Sequence, residues 1–356
     1  RRQRQMCIRD RRYTVGINGE ISNIEKSLQT YLSPDYQWNT YKWTLSLSVP
    51  LRWTGYTEVG FSRISVNPSL SIIYKLNYAW RFTVHASYKE RYGEMTDLYD
   101  RPYQTDYRNS VWNCGILPVY RQQLYSVYGE YKNTAREFFA TVNLTHNREW
   151  YNRIYEQRIE NGQIQRVSLP LSNHGSGYTV KSTLSKGFYD LGLKTSLLAL
   201  LNISKAEQIS GGQRLPYQYR LMRLEPKVIW TPNRHWETSY QTDIRYGGSK
   251  IGERTRLAPL WNVTQQVQLS YIFSPIEASL SVDHYHNDVN EDQSVNAVFA
   301  DFSVLWKSQR LQITATATNL FDKRTYGYTR YASLESYTSW VRIRPREFLV
   351  AIRYQL

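Results

Sequence analysis

Tyr78-Ala79-Trp80-Arg81-Phe82-Thr83-Val84-His85-Ala86-Ser87-Tyr88-Lys89 is a stretch in which every even position is aromatic or apolar and nearly every odd one is polar. Side chains of a β-strand alternate between two faces, so this segment presents one apolar side and one polar side. The same period recurs at 259–273, where Trp261, Val263, Val267, Leu269, Tyr271 and Phe273 stand opposite Asn262, Thr264, Gln266, Gln268 and Ser270. It recurs near 190–203 through Leu191, Leu193, Leu197, Ala199, Leu201 and Ile203. About fifteen such strands can be read, near 12–20, 38–52, 62–75, 78–90, 122–132, 137–150, 177–188 and 191–204, and then near 218–231, 235–247, 260–273, 276–286, 296–306, 310–320 and 341–356. Most run 11 to 15 residues. Soluble strands average roughly five or six, whereas a tilted strand crossing a bilayer needs ~9–11.

The connections carry further information. Short turns occur at Leu76-Asn77, Asn133-Thr134-Ala135, Tyr189-Asp190, Pro232-Asn233-Arg234, Ser274-Pro275 and Lys307-Ser308-Gln309. Longer links lie near 91–121, 151–176, 205–217, 248–259, 287–295 and 321–340. From residue 76 onward short and long alternate, the rhythm of an up-and-down barrel with tight turns at one rim and long loops at the other. The expected fold is therefore all-β, an antiparallel up-and-down transmembrane β-barrel. Trp80, Trp150, Trp230, Trp236, Trp261 and Trp306 fall near strand ends, where indole rings favour the water–lipid boundary.

Composition is compatible with this. Mean hydropathy is -0.59, and no stretch approaches the roughly 18 apolar residues of a membrane helix, a test that does not bear on strands. The 31 Tyr and 11 Trp suit an interface between water and lipid. The net charge of +15 raises nucleic acid as a partner, but Lys and Arg are dispersed along the chain with no basic helix, so none is expected. Cys7 and Cys114 form neither a disulfide framework nor a zinc motif, and no cofactor or metal is expected. The first ten residues, RRQRQMCIRD, match the read-through of a transposase adapter. Residues 1–11 are accordingly set apart as non-native, with 12–356 as the barrel portion.

Near the C-terminus, Asn319-Leu320-Phe321 ends one strand and Arg344-Pro345-Arg346-Glu347 opens the last, which alternates through Phe348, Val350, Ile352, Tyr354 and Leu356. These residues resemble the C-terminus of TonB-dependent outer-membrane receptors of Bacteroidetes, in the subgroup with a carboxypeptidase-regulatory-like domain, although a terminal Phe is more usual there than Leu356. The resemblance implies a 22-stranded barrel with a plug, a TonB box, and active uptake of a small nutrient across the Gram-negative outer membrane. It implies that the present chain is N-terminally truncated, holding strands eight to twenty-two without plug or TonB box. Its partners would be outer-membrane lipid, the TonB complex through the missing part, and a small nutrient ligand. The terminal strands would then not be neighbours, and a ladder between 12–20 and 341–356 is not expected.

Capture of a ligand at the barrel mouth calls for aromatic platforms on the long loops. Tyr92, Tyr99, Tyr103, Tyr107, Trp112 and Tyr120 lie on one such loop, and Tyr326, Tyr328, Tyr331, Tyr337 and Trp340 on another. Packing among the loop rings is the plainer role for each. The polar strand faces should line a lumen, with Arg81, His85, Lys89, Lys194, Gln266 and Gln268, together with Asn202 and Asn262, pointing inward, because a charge facing lipid near the midplane costs about 2–4 kcal/mol. His284, His286 and Asp288 share a strand face, a weak metal pattern. Asp288-Val289-Asn290-Glu291-Asp292 opens like a calcium loop but lacks the turn Gly, with Gln293 there, and the bidentate Glu, with Phe299 in its place. No catalytic constellation is read. A barrel hydrolase would require a base such as His146, and a soluble β-repeat would require a blade motif that is not found.

Overall fold

The structure is a computed structural model that describes residues 4–17, 20–56, 60–160, 163–252, 255–256, 259–289, 292–332 and 335–355. Side chains of residues 1–27, 95–96, 160, 255–256 and 330–337 fall outside that description.

β1 (Arg4–Ile17) pairs antiparallel with β2 (Glu20–Asn39). β2 pairs onward with β3 (Trp43–Ser48) and β4 (Leu51–Tyr56). β5 (Phe61–Val66) returns beside β4, β6 (Ser69–Lys75) beside β3, and β7 (Trp80–Tyr92) beside β6. Thus β3 and β4 form one line interrupted at Val49-Pro50, and β5 and β6 one line interrupted at Asn67-Pro68. Proline has no N–H to give a ladder. Its carbonyl still accepts: Val49 N donates to Pro34 O, Asn67 N to Pro50 O and Tyr88 N to Pro68 O, at 3.1, 2.9 and 2.9 Å.

The long connection after β7 holds β8 (Tyr103–Gln104) and β9 (Asn109–Trp112). β10 (Val119–Asn133) then pairs with β7, and β11 (Phe138–Tyr151) follows. β12 (Ile154–Glu160) and β13 (Gln163–Leu169) make a hairpin, after which β14 (Asn173–Phe188) lies beside β11. β15 (Leu193–Ser210), β16 (Gln213–Asn233) and β17 (Trp236–Ile251) come next. The short β18 (Thr255–Arg256) precedes β19 (Leu260–Phe273), β20 (Ile276–Asp288), β21 (Ser294–Lys307) and β22 (Leu311–Thr318), a consecutive antiparallel series beginning at β17. β23 (Thr325–Ala332) and β24 (Glu335–Arg342) form their own two-stranded sheet, and β25 (Glu347–Tyr354) pairs with β22. The remaining strands belong to one 23-stranded sheet. The fold is all-β with antiparallel up-and-down order, the β-barrel class expected from the sequence. Two compact units divide it: residues 1–129, 143–178 and 204–218, and residues 130–142, 179–203 and 219–356.

Register shows what each face is made of, since directly opposite residues share a face. One face of the first unit carries the rows Tyr36–Leu47–Leu70–Ala86 and Trp38–Leu45–Ile72–Val84; the other carries Gln37–Ser46–Ser71–His85 and Asp35–Ser48–Ser69–Ser87. In the second unit Tyr240–Val267–Val282–Ala300 alternates with Gln241–Gln266–Asp283–Phe299. The apolar face is the uncovered one. Val84 is 46% exposed, Val127 48%, Leu144 48%, Tyr178 56% and Trp236 45%, while Ser87 and Asn287 are buried. Water-soluble sheets do the reverse. The accessible surface, 23860 Å², exceeds the roughly 15,000 Å² of a compact soluble protein of this length, as a sheet without a second layer over it requires.

Turn chemistry agrees with the sequence at the short connections. Asn77 Oδ1 accepts from the N–H groups of Ala79 and Trp80, Asn133 Oδ1 from Arg136, and Asn233 Oδ1 from His235 and Trp236. Elsewhere the boundaries differ. Residues 20–39, read as strand only at their two ends, form one strand; ladders on both sides hold it across Pro34 although its alternation is imperfect. The link expected at 205–217 is a two-residue turn at Gly211-Gly212, whose φ values of 57° and 76° need glycine. β15 and β16 extend to meet it with polar residues on both faces. The links 151–176 and 321–340 contain hairpins, and the last strand starts at Glu347, not 341.

Candidate ligand-binding site

The first unit's long connection is a folded structure with its own small core. Tyr56 and Leu117 are buried there against Phe61, Tyr92 and Leu98, and Tyr56 Oη donates to Gly93 O at 2.7 Å. A Cβ on Gly93 would come within 2.5 Å of Pro118 and the Asp97 carboxylate, so the close approach needs glycine. Asp97 accepts from Glu94 N and from Arg153 Nη1, both at 2.9 Å. β9 joins β13 in parallel register, Asn109–Trp112 beside Ile164–Val167. At the hairpin tip Asp106 accepts from the Asn109 side chain and from the backbone N–H groups of Arg108 and Asn109. Those bonds, the Asn109 side chain first, hold its carboxyl below the usual range.

This packing sorts the aromatic candidates. Tyr92 is committed to Phe61, edge-on at 5.1 Å, and Tyr99 to Tyr103 at 6.0 Å. Trp112 Nε1 donates to Asp100 at 3.2 Å. Tyr107 stays 78% exposed, with the Arg108 guanidinium 5.3 Å from its ring. Tyr120 Oη donates to Glu149, which also accepts from Gln122, Asn147 and Tyr151. Burial and then the Glu149 charge push the Tyr120 hydroxyl up to about 12, and the same causes raise Tyr151. A further cluster is not evident from the sequence: the guanidinium groups of Arg153 and Arg166 both lie over the Tyr155 ring, 5.0 and 3.7 Å from its centroid. Arg166 comes from the opposite strand of the β12–β13 hairpin, whose residues show no period of two, so no sequence pattern brings it to Tyr155.

In the second unit the β23–β24 hairpin rests on β20 and β21. Asn287 Nδ2 donates to Tyr326 Oη and to Gly327 O, at 2.9 and 3.3 Å, and the Tyr326 ring meets Tyr285 edge-on at 5.2 Å. Tyr328 is 5.9 Å from Tyr326. Trp340, 63% exposed, covers Gly327, where a Cβ would stand 2.7 Å from the indole. A cavity at the hairpin is lined by polar and apolar side chains together, Asp283, Tyr285, Phe299, Tyr326, Ile343 and Arg344 among them. The side chains of Tyr331 and Tyr337 lie outside the described residues.

The residues expected inside a lumen stand on the polar faces. His85 shares its row with Gln37, Ser46 and Ser71, and Arg81 faces Lys75. Lys89 follows two residues on from Ser87. Gln266 lies between Gln241 and Asp283, and Gln268 between Ser239 and Ser281. Asn262 faces Arg245 and Asn287. Lys194 alternates with Leu193, and Asn202 donates to Thr179 at 2.8 Å. His286 bonds Asn296 and lies 3.4 Å from Asp288, but no group of three or more metal-ligating side chains occurs among the described residues. Asn290 and Glu291 of the calcium-like run lie outside them. His146 Nδ1 donates to Gly177 O, Nε2 accepts from Arg148, and the ring stacks against Tyr125 and Tyr178. Both nitrogens are engaged, so the side chain is not poised as a base.

No family model and no curated protein matches the sequence. Among solved structures the chain is similar to the ferric preacinetobactin receptor BauA of Acinetobacter baumannii, with a TM-score of 0.52 at 8% identity over 99% of this chain and 59% of that one. Lower scores are given by the ferric citrate transporter FecA, 0.49 at 10% identity over 92% and 51%, and by the siderophore receptor PirA of Acinetobacter baumannii, 0.43 at 8% over 89% and 62%. The BauA likeness concerns the fold alone. The chain spans between 51% and 62% of the length of these three structures.

Proposed function

We propose that this chain is the barrel portion of a Gram-negative outer-membrane receptor that takes up a small nutrient with energy from a TonB partner. The observation that carries the reading is the inverted polarity of the sheet: Trp38, Val84, Val127 and Leu144 are exposed on one face while Ser, Gln and His rows occupy the other. Only a lipid environment makes such an arrangement favourable along many strands. The inward faces, with Arg81, His85, Lys89, Lys194, Gln266 and Gln268, line a hydrated lumen. Tyr103, Tyr107, Trp112, Tyr326, Tyr328 and Trp340 supply the outer aromatic surface for capture, Tyr92 and Tyr99 brace it, and Tyr331 belongs to the same hairpin as Tyr326.

The motif Asn319-Leu320-Phe321 and the final strand support placing the receptor with those of Bacteroidetes. With β3–β4 and β5–β6 each counted as one line and the short outer strands set aside, sixteen strands remain, β1 entering with only residues 12–17 of receptor sequence. They correspond to strands seven to twenty-two of a 22-stranded barrel, one more than the sequence reading supplied because β2 is added. Residues 1–11 are adapter-derived in this reading. The test is the coding sequence upstream of residue 12 in the source genome, which should encode a plug and a TonB box ahead of about six further strands. An upstream region encoding a soluble domain, or a start codon directly before residue 12, would overturn the assignment.

A further inference from the structure

Two carboxylates on the polar face of the second unit stand without a counter-charge. Asp283 faces Phe299 and Asp301 faces Ser281, so the two acids are diagonal neighbours across the β20–β21 ladder, their backbones about 7–8 Å apart. Both are half-buried. Asp283 accepts from Gln266, and Asp301 accepts from Asn319 N at 2.7 Å. Among the described residues no cation lies within ion-pair distance of either. Asp243, on the same face, is paired with both Arg223 and Arg245. The chain has 45 Lys and Arg against 30 Asp and Glu, so cations are not scarce; this pair is left open. Two like charges side by side and partly desolvated are unfavourable unless a cation joins them.

Aromatic rings wall the same space. Phe299 and Tyr326 both meet Tyr285 edge-on, their planes at 73° and 71° to it and their centroids 5.7 and 5.2 Å away. The three rings and the two carboxylates line one cavity of about 490 Å³, within the roughly 300–1,000 Å³ of small-molecule sites. Ile343 and Pro345 add aliphatic wall, and Arg344 and Glu347, both exposed, carry charges that offset each other. We propose that this cavity binds a quaternary ammonium group of the choline type. Its methyl groups would lie against the ring faces, while the charge answers the ring quadrupoles and the paired carboxylates. A metal ion would need several converging ligands, and no group of three or more occurs among the described residues. The inference rests on the receptor reading and deepens it by naming a chemical class for the ligand.

The test is calorimetric titration of choline chloride into the folded chain in maltoside micelles, because phosphocholine detergents carry the group itself. The wild type should bind choline and ignore the uncharged alcohol in which carbon replaces the nitrogen. The double variant Asp283→Asn, Asp301→Asn and the single variant Phe299→Leu should each bind about ten-fold more weakly, or weaker still. Phe299→Tyr, which keeps a ring, and Asp190→Asn, in the β14–β15 turn, should match wild type. Heat-modifiable migration verifies that each variant folds. Equal binding of the uncharged alcohol, undiminished binding in the double variant, or displacement of choline by an equal concentration of calcium chloride would overturn the proposal. A chain that inserts into bilayers yet gives no heat with choline would remove the ammonium site and leave the receptor reading standing. A chain that stays out of bilayers would bring down that reading, whatever it binds.

Discussion

Asn319 holds a backbone conformation that few residues tolerate, at φ 51°. Its Nδ2 donates to Lys323 O and Arg344 O, both at 2.8 Å, and its Oδ1 accepts from Lys323 N at 3.0 Å. One buried amide thereby ties the end of β22 to both legs of the β23–β24 hairpin. Asn319→Ala should lower stability by about 2–4 kcal/mol, through stranded polar groups and the left-handed backbone. Asn319→Gly, which relieves the backbone, should lose about 1 kcal/mol less; urea unfolding in detergent micelles would measure both. A second substitution separates membrane from water. Val84 is 46% exposed, so on a soluble sheet Val84→Arg would cost within about 0.5 kcal/mol. Facing lipid, it should cost about 2–4 kcal/mol, while Thr83→Arg on the polar face is tolerated. Equal stabilities for the two variants would contradict the lipid-facing assignment.

The outer hairpin β12–β13 meets β15 through the parallel pair Glu156–Ile209, and the Glu156 carboxylate reaches the β15–β16 turn. Glu156, 5% exposed, accepts from Arg158 at 2.7 Å and from Gly212 N at 3.0 Å. The Arg158 bond, aided by Gly212, holds its carboxyl below the usual glutamate range. A depressed carboxyl contributes stability that is complete above the unfolded-state pKa and is lost as pH falls through the folded one. The protection factor of the Gly212 amide, its exchange corrected for the intrinsic pH dependence, should therefore be high at neutral pH and fall as pH drops through the depressed carboxyl's range, with Glu156→Gln lowering it at neutral pH as well. A protection factor that does not change with pH would show that Glu156 does not hold this amide. This connection also marks how far pattern reading reaches. Gly211 and Gly212 are a turn signal, but the flanking residues from Ser204 onward are polar on both sides and give no period. Their strand character comes from neighbouring ladders. The hairpins at 154–169 and 325–342 were hidden in the same way, whereas Asn77, Asn133 and Asn233 announced their turns because the side chain itself makes the turn's hydrogen bonds.

Among the described residues few apolar side chains are buried, Ile154, Val167, Ile209 and Leu260 among them, and a long series is exposed. Contiguous apolar surface beyond a few hundred Å² does not persist in water. The purified chain should be monodisperse in detergent and aggregate when detergent is removed. A compact, soluble particle in plain buffer would refute the lipid-facing sheet. Of the expected outer aromatics, Tyr92 and Tyr99 are packed within the first unit, against Phe61 and Tyr103. Tyr107 and Trp340 remained open.

Alternation with a period of two was enough to establish strands, their faces and the turns between them, since each follows from the geometry of one extended chain. Which side chains meet across the sheet was decided by register alone. The grip of Glu149 on Tyr120, the Arg153–Tyr155–Arg166 cluster and the seat of Tyr326 on Tyr285 join residues tens of positions apart or on strands that polarity does not reveal. Local pattern records what a strand faces; only the ladder specifies its neighbour.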